Sequence, residues 1–303
     1  MSASHAPTIG VFDSGFGGLT VLRELLPLVS GGHCVYLGDT ARLPYGSKSR
    51  ETIVRYAISS ARFLQKRGAE LLVVACNTAT ALALEELRDA LPIPVVGVID
   101  PGAKAAAEAC YELNRCNTAE APSEVLVVAT QATVGAQAYT RACAKLGLRA
   151  TEKACPLLVP LVEEGWIANE SGDKVEIANA NDAARASVTA QVLRIYLSEA
   201  LDAAPASRAL LLGCTHYPLL RPEIERTLAD LGRPLCIIDS ARATAQAVAR
   251  VLQEKSIMRP TSTDAPDATC EFFATDSVEK FERLGSRFLG RPVADVQLVD
   301  LGG

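Results

Sequence analysis

A chain of 303 residues, 49% of them hydrophobic, is longer than one hydrophobic core usually serves and has enough apolar side chains to build two. Its formal net charge is −5, only 5% of its residues are aromatic and it has no Lys/Arg block, which argues against a nucleic-acid-binding surface or a polybasic membrane patch and points to a small-molecule ligand. No run approaches the roughly 18 uninterrupted apolar residues of a membrane span, and MSASHAPTIG lacks the charged and apolar regions of a signal peptide, so a cytoplasmic protein is expected.

In chain order, IGVF at 9–12, CVYLGD at 34–39, LLVVA at 71–75 and PVVGVI at 94–99 read as buried strands separated by amphipathic helical stretches. EVLVVAT at 124–130, CPLLVPL at 155–161, ALLLG at 209–213 and LCIID at 235–239 repeat the set in order and character. The pattern predicts an α/β protein of two pseudo-symmetric parallel-sheet αβα lobes, with the active site in the cleft between them. Pro and Gly after Asp100 mark a break where the chain crosses to the second lobe, and a helix over 240–255 brings it back. Residues 1–98 and 240–303 then form the first lobe and 99–239 the second, with CEFFATD, the helix through SVEKFERLGSRFLG and DVQLVD completing the first. Stretches 111–123, 168–187 and 256–269 read as surface insertions.

Two blocks end a strand alike. LLVVACNTAT at 71–80 and ALLLGCTHYPLL at 209–220 each run into a cysteine followed by polar residues, and Asp100 follows Cys76 by 24 residues as Asp239 follows Cys214 by 25. In open α/β sheets ligands bind beyond the carboxyl ends of the strands, so two such halves facing one another would bring both thiols to one pocket. A thiol on each face suits moving a proton from one side of a carbon to the other. Free cysteine titrates near about 8.5, and the helix expected after each turn would favour the thiolate.

His216, the sole histidine beyond residue 33, falls two residues from Cys214, which suggests an ion pair or proton relay, and Asp13 could serve Cys76 in the same way. FDSGFGGLTVL at 12–22 puts Asp13 and Ser14 at a strand end, with glycines that let backbone N–H groups approach an anion. GDTARLPYGSKS at 38–49 offers backbone donors and a hydroxyl to a carboxylate. In the second lobe Thr130 and Thr133 take the position of Asp13 and Ser14, and CPLLVPLVEEG ends in Glu163 and Glu164. The spacing leaves open which of that pair faces the crevice, and Glu164 stands as an additional candidate.

The chain has nine cysteines, an odd number without framework spacing, so they are read as reduced thiols, with 34, 110, 116, 143, 155, 236 and 270 as packing. No CxxC pair or clustered His/Asp spacing marks a metal site, and none is expected.

FDSGFGGLTV, GDTARLPYGSKS, VVACNTATA, VVGVIDP, ATQATV, CPLLVPLVEEG, LLLGCTHYPLL and FFATDSVEKF together resemble the aspartate/glutamate racemase family, and within it the members acting on glutamate. The resemblance covers nearly the whole chain in the expected order. It implies a cofactor-independent interconversion of L- and D-glutamate that supplies D-glutamate for peptidoglycan, in a homodimer. It also implies that Cys76 and Cys214 are the acid/base pair assisted by Asp13 and His216. Substrate contacts are then expected at Asp13, Ser14, Tyr45, Gly46, Asn77, Thr78, Thr130, Thr133, Thr215 and His216. Family members often have glycine where this chain has Ala129 and serine where it has Gly135, which leaves the donor set on that wall open. Three rival readings are a related racemase or decarboxylase acting on aspartate, a hydantoin or a malonate; a non-catalytic amino-acid-binding module; and a cysteine hydrolase or transferase using one thiol.

Overall fold

A computed structural model describes residues 7–115, 124–167, 180–255, 257 and 266–302. Its strands are β1 (Thr8–Asp13), β2 (His33–Gly38), β3 (Leu71–Val74), β4 (Val95–Gly97), β5 (Glu124–Ala129), β6 (Arg149–Ala154), β7 (Ala209–Gly213), β8 (Cys236–Asp239), β9 (Thr269–Ala274) and β10 (Gln297–Leu298). All pairings are parallel, in a six-stranded sheet of order β10-β9-β2-β1-β3-β4 and a four-stranded sheet of order β6-β5-β7-β8. The four strands with counterparts in both sheets therefore take the same order, second-first-third-fourth. β3, β5 and β7 are buried along their whole length, as strands covered by helices on both faces must be.

Two compact units result: one built on residues up to Gly102 and from Ser240 onward, the other on Ala103–Asp239. In the first, the helix Arg50–Lys66 shows how the sequence makes its layers. Ser49 caps it by accepting the Thr52 N–H, and Ile53, Ala57, Ala61 and Leu64 recur at helical spacing on its buried face. They pack against Phe12, Val35, Leu72 and Val74 of the sheet. Burying a side chain the size of Ile53 or Leu64 contributes about 1.5–3 kcal/mol.

Several sequence expectations are corrected here. CPLLVPL is not a strand: β6 is the preceding RATEKA, and residues from Leu158 to Glu163 form a helix whose Pro160 falls in the first turn, where no N–H is needed. β6 is an edge strand, only partly buried, so it lacks the apolar run that marks its neighbours. Pro101 and Gly102 do mark where the chain passes to the second unit, after Gly102, but they do so inside the first turn of the continuous helix Ile99–Arg115 rather than at a break between elements. Asp100 is consequently an exposed residue of that turn, 4.0 Å from Arg88, whereas Asp239 ends β8; the matched spacings do not mark equivalent places. Of the expected insertions, 111–115 are the end of that helix, 180–187 open the helix Ala180–Ala203 and Thr269 begins β9, while 116–123, 168–179, 256 and 258–265 lie outside the described residues.

Candidate active site

Each unit presents its polar side chains beyond the carboxyl ends of its own strands. In the first, Asp13 ends β1, Asp39 follows β2 and Cys76 follows β3. Cys76 is the N-cap of the helix Asn77–Ala90: its sulfur accepts the Ala79 N–H at 3.4 Å, and its S–H lies 3.5 Å from Ser14 Oγ. The helix N-terminus favours negative charge at that sulfur. Asn77 and Thr78 are buried in the same first turn.

Asp13 is buried, and its Oδ2 accepts the Gly15 N–H at 2.8 Å, which folds the Gly-rich loop back on the strand end. Gly18 is required for contact rather than for flexibility. A Cβ there would sit 2.6 Å from Asp13 Cβ, 2.8 Å from Ala75 Cβ and 3.0 Å from the Tyr36 hydroxyl.

Asp39 was not singled out from the sequence, yet it organises the loop that follows it. Fully buried, it accepts from Arg42 Nε at 2.8 Å, from the Tyr45 hydroxyl at 2.5 Å and from Thr275 Oγ1 at 3.0 Å. Tyr45 is itself buried, with its ring 6.2 Å from Phe12 and 6.0 Å from Tyr56. Burial first, and then the Asp39 charge, holds its phenol far above the usual range. The Tyr45 side chain thus anchors the loop from within, and the half-exposed Gly46 follows it.

In the second unit Cys214 directly follows β7, and Thr130 follows β5. The expected helix after each thiol forms at once only at Cys76. After Cys214 come a turn and a short 3-10 segment, Tyr217–Leu220, before the helix Arg221–Asp230. Support for Cys214 comes instead from side chains. Its sulfur lies 3.9 Å from His216 Nδ1, and His216 Nε2 lies 3.1 Å from Glu163 Oε1. Burial opposes a charged imidazole, but hydrogen bonds to Cys214 and Glu163 outweigh it and push His216 from 6.5 up to about 10. Of the two carboxylates offered by the sequence, Glu163 therefore reaches the histidine, while Glu164 is exposed at the end of the helix Leu158–Glu163.

Thr130 caps the short helix Gln131–Gly135 by accepting the Thr133 N–H, and the two hydroxyls lie 2.9 Å apart. Thr215 is buried beside Cys214.

The other described cysteines are mostly packed: burial pushes Cys34, Cys143 and Cys155 up to about 12 and Cys110 up to about 11. Cys236 is exposed, and Cys116 lies outside the described residues. Among the described residues no group of three or more His, Cys, Asp or Glu is placed to hold a metal ion.

The profile of the Asp/Glu/hydantoin racemase family matches residues 9–248. The chain belongs to that family. Among curated family members, the glutamate racemase of Koribacter versatilis is 44% identical, with 98% of each chain covered. Among solved structures, the glutamate racemase of Francisella tularensis in complex with D-glutamate superposes with a TM-score of 0.78 at 30% identity, over 97% of this chain and 98% of that one. That of Thermus thermophilus, in complex with β-chloro-D-alanine, gives 0.76 at 39% identity over 98% and 97%. These racemases share the doubly repeated parallel-sheet architecture described above.

Proposed function

We propose that this chain interconverts L- and D-glutamate by transferring a proton between two thiols, without a cofactor. In one direction the Cys76 sulfur, as thiolate, takes the α-proton. The electron pair left on the α-carbon delocalises into the α-carboxylate, and the Cys214 S–H delivers a proton to the opposite face. The reverse direction exchanges the roles, so the enzyme ends each turnover with thiol and thiolate swapped. Hydroxyls of Ser14, Thr78 and Thr215 and loop N–H groups stabilise the carbanionic intermediate. Asp13 and Asn77, with Tyr45–Gly46 and Thr130–Thr133, bind the substrate, and His216, backed by Glu163, assists Cys214. This reading requires the two units to hold the thiols on either side of one α-carbon.

The observation that carries the reading is the matched placement of two thiols. Each follows the third strand of a sheet with the same strand order, and each has a hydrogen-bonding group at its sulfur. The preference for glutamate rests on the similarity to glutamate racemases. The remaining parts of the proposal are a cytoplasmic homodimer that supplies D-glutamate for peptidoglycan.

The test is solvent exchange. In deuterated water the wild type should wash deuterium into the α-position of both enantiomers while racemising them, whereas Cys76→Ala and Cys214→Ala, still folded, should not racemise either. Full activity in either variant would refute the two-thiol mechanism, and activity on aspartate but not glutamate would refute the substrate.

A further inference from the structure

Tyr36 belongs to no motif singled out above, but it meets the first thiol's loop from beneath. It is fully buried on β2, its ring packed against Phe272 at 6.4 Å and Phe281 at 5.9 Å. Its hydroxyl donates to the Gly15 carbonyl at 3.1 Å. The helix Leu19–Leu25 starts there with Gly18 as its N-cap and no capping side chain, since a Cβ at Gly18 would collide with Asp13 and Ala75. The phenol oxygen of Tyr36 stands beside that helix start instead, 3.0 Å from where a Gly18 Cβ would sit, while the Leu19 N–H bonds the Phe16 carbonyl. Burial foremost, then the charges of Asp13 and Cys76, keeps the phenol protonated well above its ordinary range, so it remains a donor to Gly15.

From Gly15 the chain of contacts is short. The Gly15 N–H holds Asp13 Oδ2 at 2.8 Å, and the intervening Ser14 hydroxyl lies 3.5 Å from the Cys76 sulfur. We propose that Tyr36 is a positioning residue for Cys76: by holding the Gly15 carbonyl, its hydroxyl sets the loop that places Ser14 against the thiol and fixes the Asp13 carboxylate. This inference rests on the reading of Cys76 as one of the two proton-transferring groups.

Tyr36→Phe deletes the hydroxyl and keeps the ring between Phe272 and Phe281, so the variant folds, as its thermal transition will show. Loss of one such hydrogen bond should lower kcat/KM about three- to tenfold. The fall must be equal in both directions, because an equilibrium constant of one ties the two values together. The direction-specific signal is the primary isotope effect. With α-deuterated substrates it should rise for the enantiomer whose proton Cys76 removes, since that step becomes more limiting, and fall for the other. Unchanged kcat/KM, or isotope effects that do not diverge, would overturn the proposal and leave Tyr36 a packing residue.

A second readout does not depend on the racemase reading. Iodoacetamide alkylation of Cys76 relative to Cys214, followed by peptide mass spectrometry, should rise in Tyr36→Phe as the loop loosens, and an unchanged ratio would count against the proposal. A wild type without racemase activity would sink the proposed function while the alkylation ratio still judges the role of Tyr36.

Discussion

His216 Nε2 lies 3.1 Å from Glu163 Oε1 across 53 residues of sequence, and both side chains are largely withdrawn from water. The ring therefore meets a carboxylate on one nitrogen and the Cys214 sulfur on the other, the arrangement expected of an oriented acid/base relay.

Glu163→Gln keeps a hydrogen-bond acceptor but removes the charge that helps hold His216 up at about 10. The alkaline limb of the pH–rate profile should move to lower pH, and kcat should fall about tenfold or more at neutral pH, toward the contribution of one acid/base group. Glu164→Gln, at the exposed neighbour, should leave both unchanged. Steady-state profiles of the two variants side by side check this.

The same histidine links stability to pH. Its folded-state value lies above its ordinary 6.5, so its contribution is fully present below that value and is lost as pH rises through about 10. The stability gap between wild type and His216→Gln should be widest near about pH 6 and close by about pH 10. Urea titrations at the two pH values measure it, and a gap of constant size would contradict the assignment.

Cys76 both caps a helix and carries a thiol, and two substitutions separate the roles. Cys76→Ser retains an acceptor for the Ala79 N–H, while Cys76→Ala lacks one and should be less stable by about 1 kcal/mol. Both should lose racemase activity by about a hundredfold or more, because neither supplies a group that exchanges the α-proton near neutral pH. Thermal unfolding alongside the activity assay distinguishes cap from chemistry.

Asp39→Asn leaves Arg42, Tyr45 and Thr275 facing an amide in a buried site. Removing one partner of a buried pair costs about 3–5 kcal/mol, and the loop at Tyr45–Gly46 should loosen with it. Denaturant unfolding should show the loss of stability, and KM for glutamate should rise more than kcat falls.

Most of the strands are visible in the sequence because a strand covered on both faces must be a continuous apolar run, as LLVV of β3 and ALLLG of β7 are. β6 escapes because RATEKA lies at a sheet edge and keeps charged residues there. The thiols are legible as strand-end cysteines with polar successors. Glu163 and Glu164 are legible as a pair but the choice between them is not, although helix phase contains a slight signal: Leu158 and Val162 form the buried face, and residue 163 lies a little closer to it than 164 does. Asp39 and Tyr36 are hidden for a different reason. Their roles are set by partners such as Thr275 and Phe281, which only the folded sheet brings near.

The pairing of β2 with β9 has a consequence for biosynthesis. His33 lies beside Thr269, 236 positions later, so one side of β2 has no neighbour until the last strands leave the ribosome, whereas β5–β8 can close among themselves beforehand. Nascent chains stalled before residue 269 would display an open ladder of N–H and C=O groups along β2, a template for pairing with other chains.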